Sequence, residues 1–158
     1  MAIEGADREL ALIVAISTHA CAIPLRHVAE TMRPLSIEPI AGMPRFVVGV
    51  SVIRGAPVPI VDLKALLEDG ERSASYGRFV TLKVGERRVA VGVDGVVGVR
   101  SLAAAQLADL PPIMRDVRTD CIAAIGSLDA QLLVVLHAAR IVPDEVWTSV
   151  AADAQAAR

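Results

Sequence analysis

The sequence predicts an all-β fold, and three observations carry that prediction. Short apolar runs rich in Val and Ile recur with turn signals between them: ALIVAIS, ACAIPL, FVVGVSVI, PVPIVDL, RFVTLKV, RRVAVGV, VVGVRSL, CIAAIGSL and QLLVVLHA. One pair of runs, RFVTLKV-GE-RRVAVGV, alternates as a hairpin should, with Val80, Leu82 and Val84 on one face, Gly85-Glu86 as the turn, and Val89, Val91 and Val93 on the return. Helical signal is confined to three short places.

Taken in order, FVVGVSVI is apolar in both alternating registers, Val48, Val50 and Val52 on one face and Val47 and Ile53 on the other. A strand apolar on both faces is expected to be buried on both, as at an interface between subdomains. Gly49 interrupts it and marks a bulge or a close approach by another backbone. Pro57 and Pro59 remove two ladder donors, which predicts an edge strand. Asp62 stands before LKALLE as the N-cap of a short helix. LAAAQLADL, ahead of Pro111-Pro112, reads equally as helix or loop. PDEVWTSVAADAQAAR opens with Pro143, Asp144 and Glu145, as a helix start should. Gly92, Gly95 and Gly98 are spaced by three and read as strand-end and bulge glycines, and Arg87-Arg88 as a solvated hairpin pair.

The 158 residues fit one domain over 1–150 with a tail at 151–158. Within it the polar stretch EDGERSASYG, 68–77, is the best internal boundary. The chain reads similarly on either side: a shift of 68 residues sets Ile23, Leu25 and Val28 over Val91, Val93 and Val96, and PVPIVDL echoes QLLVVLHA. Two small β subdomains of one design follow, each too small to be stable alone on an aliphatic core, so they are expected to pack on each other.

Composition narrows the function. Hydrophobic residues make up 54% but aromatics only 3%, so the core is built from Val, Leu, Ile and Ala, and stacking platforms for bases or sugars are scarce. A formal net charge of -2 excludes a broad footprint for nucleic acid. Charges, Gly and Pro interrupt every apolar run, so no membrane insertion is expected, and MAIEGADREL lacks the features of a signal peptide, which predicts a cytoplasmic location. Catalytic motifs are missing: there is no GxSxG, HExxH or GxxxxGK[ST]. Cys21 and Cys121 stand apart inside apolar segments and read as packing residues. His19, His27 and His137 have no metal-ligand spacing, so neither a metal nor another cofactor is expected. Arg54, directly after a valine-rich strand and before Gly55, is the one permanent charge that needs an account. It is a solvated turn residue, a functional residue, or half of an ion pair with an acid such as Glu30 in HVAETMR.

The segments IPLRHVAETMR, MPRFVVGVSVIRGAPVPIVDLKALL, a hairpin, DLPPI and CIAAIGSLDAQLLVVL, in that order, resemble the CheW-like domain family of bacterial chemosensory coupling proteins over roughly residues 9 to 142. The resemblance implies two intertwined five-stranded SH3-like barrels sharing an apolar core, with strands exchanged between the halves. It implies no enzymatic activity. It implies an adaptor that joins methyl-accepting chemoreceptor cytoplasmic tips to the regulatory domain of a CheA-type histidine kinase and is recruited to receptor arrays. Carried over by motif, the receptor groove comprises Arg54 associated with Glu30, and Val28, Gly49 and Gly55 beside them. Departures from the pattern are Val52-Ile53 where Asn-Leu is common, Ala124 and Ala130 where glycines are usual, and His137 where Asp is common; these suggest a regulator of an alternative, non-motility chemosensory system. The rival from another class is a small ligand-binding or hydrolytic β-barrel, which requires a polar pocket joining His27, His137 and an acid.

Overall fold

The computed structural model of the protein describes residues 8–68, 71–110, 112 and 120–156, with side chains as far as 150. Hairpins are its local unit. β1 (Arg8–Ile16) and β2 (His19–Pro24) form one, β4 (Val47–Ile53) and β5 (Ala56–Asp62) a second, β6 (Arg78–Val84) and β7 (Arg87–Val93) a third, and β10 (Ile122–Leu128) and β11 (Gln131–Leu136) a fourth. β3 (Val28–Met32), β8 (Gly95–Ala103) and the two-residue β9 (Leu107–Ala108) are single strands, and α1 (Leu63–Glu68) and α2 (Asp144–Ala156) are the helices.

Two sheets result, ordered β8-β1-β2-β11-β10-β9 and β3-β6-β7-β5-β4. Apart from β9 the two orders are equivalent: each sheet takes one hairpin from one half of the chain and a lone strand plus a second hairpin from the other. The register repeats the spacing seen in the sequence. Ala22 of β2 lies opposite Val135 in the parallel pairing with β11, and Ala90 of β7, 68 residues on, lies opposite Ile60 in the parallel pairing with β5. Residues 71–77 are stitched down: Arg72 donates to the carbonyls of Arg45 (2.6 Å) and Val47 (3.2 Å), and the Ser73 amide to Asp62.

Alternation divides the apolar side chains among three cores. The inner face of the first sheet holds Ala11, Ile13, Ala20, Ala22, Leu133 and Val135. That of the second holds Ile53, Val58, Ile60, Phe79 and Ala90. Between the sheets Leu12, Val14 and Ile23 meet Val61, Val80, Leu82 and Val91 in the largest core. Leu63 and Leu66 of α1, Ile141 and Val146 close it. Near-complete burial of so many aliphatic side chains, at about 1.5–3 kcal/mol each, is what holds the two halves together.

Three expectations are corrected. Val52 is 69% exposed, so β4 is not buried on both faces: it is the edge of its sheet, and a bulge between Val47 and Gly49 breaks the alternation, sending Val47 to the shared core and Ile53 to the inner one. Pro59 does not lie on an edge strand, because β5 sits between β4 and β7. The missing donors are tolerated because Pro57 and Pro59 pair only with β4, at Val52 and Val50, and the pairing with β7 begins at Ile60. The LAAAQLADL segment becomes a single 3-10 turn at Ala104–Gln106 followed by β9, which gives the first sheet six strands rather than five. α2 runs through Ala156 into the expected tail, while residues 157–158 and parts of the DLPPI motif, residues 111 and 113, lie outside the described residues.

Candidate functional site

The β4–β5 connection is a two-residue turn closed by the Ile53–Ala56 pair. Both central residues have positive φ, 51° at Arg54 and 79° at Gly55, the backbone that matches the right-handed twist of a hairpin. Glycine takes that conformation freely at the second position; Arg54 holds it as a non-glycine residue. The turn carries the guanidinium out of the apolar strand, and the Arg54 side chain is 75% exposed.

Glu30 receives it from β3. A bulge between Val28 and Glu30 sets the strand's register on β6, where Glu30 lies opposite Thr81. The Thr81 hydroxyl accepts from the Glu30 amide at 3.1 Å and donates to the Glu30 carbonyl at 3.3 Å, fixing the backbone from which the carboxylate projects. Arg54 then donates through Nε to Glu30 Oε1 at 2.9 Å and through Nη2 to Oε2 at 2.7 Å, a planar bidentate pair. These hydrogen bonds hold the Glu30 carboxyl below its ordinary range, with the Arg54 charge and the more distant Arg88 adding to the effect, and push the Arg54 guanidinium up. Two residues 24 apart in sequence are thus joined at the surface, where the geometry is ordered but salt still reaches it.

The other expected groove residues have separate places. Gly55 is in the turn with nothing within 4 Å of a Cβ built on it. Val28 starts β3, pairs with Leu82 and leans on the shared core. Gly49 is where another backbone crosses: a Cβ there would lie 2.2 Å from the Glu38 carbonyl oxygen, and Glu38 exchanges two 2.8 Å backbone hydrogen bonds with Val50. The Ser51 hydroxyl adds a 2.7 Å bond to the Ser36 carbonyl, so the 33–46 connection is clamped on the edge of β4. Asp62, wholly buried, has Oδ1 accepting from the Ala65 amide at 3.0 Å in the first turn of α1, and Oδ2 accepting from the Ser73 amide at 2.7 Å and the Tyr76 hydroxyl at 2.8 Å. Sequence reasoning missed Thr81 and Ser51, whose signal was a hydroxyl residue inside an otherwise aliphatic strand.

The arrangement offers docking rather than chemistry. Burial, then the Arg26 charge, then His137 lower the His27 pKa. Two cavities, of about 650 and 550 Å³, have neither histidine in their walls. Among the described residues no group of His, Cys, Asp and Glu could hold a metal. Burial pushes both thiols up, Cys121 to about 11, so neither is a ready nucleophile. No described helix is long and apolar enough to cross a membrane.

An exposed bidentate ion pair presented by a turn of a double β-sheet scaffold suits the class of protein-interaction adaptors. The CheW-like domain model matches residues 10–146, and the chain belongs to that family of non-enzymatic chemotaxis scaffold and coupling proteins. It is 28% identical to the chemotaxis protein CheW of Klebsiella aerogenes over 137 residues, 85% of this chain and 81% of that protein. It is 32% identical to protein FrzA of Myxococcus xanthus over 91 residues, 57% of this chain and 56% of FrzA. The fold matches the crystal structure of the scaffolding protein TtCheW from Thermoanaerobacter tengcongensis with a TM-score of 0.74 at 19% identity, covering 85% of this chain and 88% of that one.

Proposed function

We propose that the protein couples methyl-accepting chemoreceptor cytoplasmic tips to the regulatory domain of a CheA-type histidine kinase, working in the cytoplasm at receptor arrays. Arg54 and Glu30 form the receptor contact, with Val28, Gly49 and Gly55 shaping its surroundings. The observation that carries this reading is the Arg54–Glu30 pair itself: two hydrogen bonds order a guanidinium that is otherwise three-quarters exposed, so a partner meets a charge already oriented and the entropy of ordering it is spent in advance. Val52, exposed next to that pair where the family commonly has an amide, gives the site an apolar neighbour and favours receptors of an alternative chemosensory system.

Titration calorimetry at fixed salt tests this with the kinase regulatory domain and a receptor-tip fragment. Wild type is expected to bind both. Arg54→Ala is expected to weaken tip binding by about tenfold or more and leave kinase binding unchanged. A double-mutant cycle of Arg54→Ala and Glu30→Ala should show coupling, and additive losses would remove the pair from the contact. No binding to either probe overturns the adaptor reading.

A further inference from the structure

We propose that the surface around Glu30 is a cation-rich docking face for an acidic protein segment, with Lys83 and Arg88 setting its charge preference; this rests on the adaptor reading and names the chemistry of the partner.

The register carries the argument. Glu30 lies opposite Thr81 on β6, and the next residue on the same face of that strand is Lys83. Lys83 lies directly opposite Arg88 on β7. Residues in that relation have Cβ atoms about 5 Å apart, and like charges there repel. Both are exposed, and among the described residues neither lies within ion-pair distance of a carboxylate. Arg87, one position earlier, projects to the opposite face, where it covers Trp147 at 5.3 Å and meets Asp144 at 3.5 Å. The hairpin end thus separates its two arginines: Arg87 is used in holding α2, and Arg88 is left beside Lys83.

Three cations, Arg54, Lys83 and Arg88, therefore share the face that holds Glu30, whose carboxylate is occupied by Arg54. Glu86, in the turn, is exposed and forms no ion pair among the described residues. Arg88 reaches the Glu30 carboxylate only through the longer-range field that helps lower its pKa, so the cross-strand cation pair leaves a local positive excess, in a chain whose net charge is -2, that a carboxylate-bearing ligand would neutralise. The face is too narrow for a nucleic-acid backbone, which needs a stripe of phosphate contacts. Ala56 and Pro57, directly after the turn, line a cavity of about 650 Å³ whose wall also includes Glu86, Arg87, Arg88 and Trp147, so the hairpin end sets apolar surface beside its cations.

The test uses the full chain and the variant Lys83→Glu/Arg88→Glu, both positions being exposed. For the receptor-tip fragment, the variant is expected to lose about tenfold or more in affinity and to flatten the salt dependence between about 50 and 300 mM, with kinase binding intact. Equal affinity and salt slope in wild type and variant overturn the proposal while leaving the adaptor reading standing. A hexaglutamate peptide titrated into isotope-labelled protein supplies a readout independent of that reading: amide shifts over 54–56 and 83–88 in wild type but not in the variant support the acidic-segment site even if the tip fragment does not bind. No shifts there, or binding of phosphatidylserine vesicles in place of the peptide, count against it.

Discussion

Two turns of the molecule have the same backbone and opposite chemistry. Arg54–Gly55 joins β4 to β5, and Asp129–Ala130 joins β10 to β11 at the equivalent place in the other sheet, with φ of 50° and 65°. In the first, the turn supplies the cation and the edge strand β3 the anion, at 2.9 and 2.7 Å. In the second, the turn supplies the anion and the edge strand β8 the cation, with Arg100 Nη2 at 3.8 Å from Asp129 Oδ2. The first turn has glycine where the second has a strained alanine. One architecture used twice has been tuned at one end into an ordered, bidentate surface charge and at the other into a loose contact of inverted sign. The fold supplies positions; the residues at four of them decide how firmly each turn's charge is held.

The sharpest test of that contrast lies at the far ends of the same hairpins. Asp62 accepts three hydrogen bonds while wholly buried, whereas His137, at the corresponding strand end, makes no side-chain cap and contributes only its backbone. Asp62→Ala should cost about 4 kcal/mol by stranding three donors, and His137→Ala under about 1, measured by urea denaturation. Equal costs would break the comparison. Next, Gly49→Ala drives a Cβ into the Glu38 carbonyl and should cost about 3 kcal/mol, while Ala124→Gly at the matching bulge should cost about 1 or less. Replacing the strained alanine, Ala130→Gly, should stabilise the protein by about 1 kcal/mol, visible as a raised Tm, because left-handed backbone is disfavoured for a residue with a Cβ.

The smallest effect is in pH. Glu30 has its pKa lowered in the folded state, so its pairing stabilises the fold fully above the ordinary carboxylate range and loses that contribution as pH falls through the depressed value. The stability difference between wild type and Glu30→Gln should therefore shrink in acid, and NMR titration of the carboxyl should move up toward the ordinary range in Arg54→Ala.

The β6–β7 hairpin and the α1 cap at Asp62 were legible because each depends on neighbours in sequence: alternation, a Gly-Glu turn, an acid before a helix-forming run. The exposure of Val52 and the interior position of β5 were not, because a strand's neighbours are chosen by segments dozens of residues away. The same limit applies at the site. Arg54 stood out as an unexplained charge, and the family pattern supplied Glu30, but Thr81, Lys83 and Arg88 reach the site only through the register of β3 on β6 on β7. Gly49 was legible as a close backbone approach, without any sign that Glu38 was the backbone approaching.

The crossed assembly of the two sheets also sets an order of events for the ribosome. Among the described strands the β1–β2 hairpin comes well before its neighbours β8 and β11, so its faces stay uncovered until those later strands have been made. The second sheet, complete once residue 93 has emerged, is finished earlier and serves as the surface against which that waiting hairpin is docked.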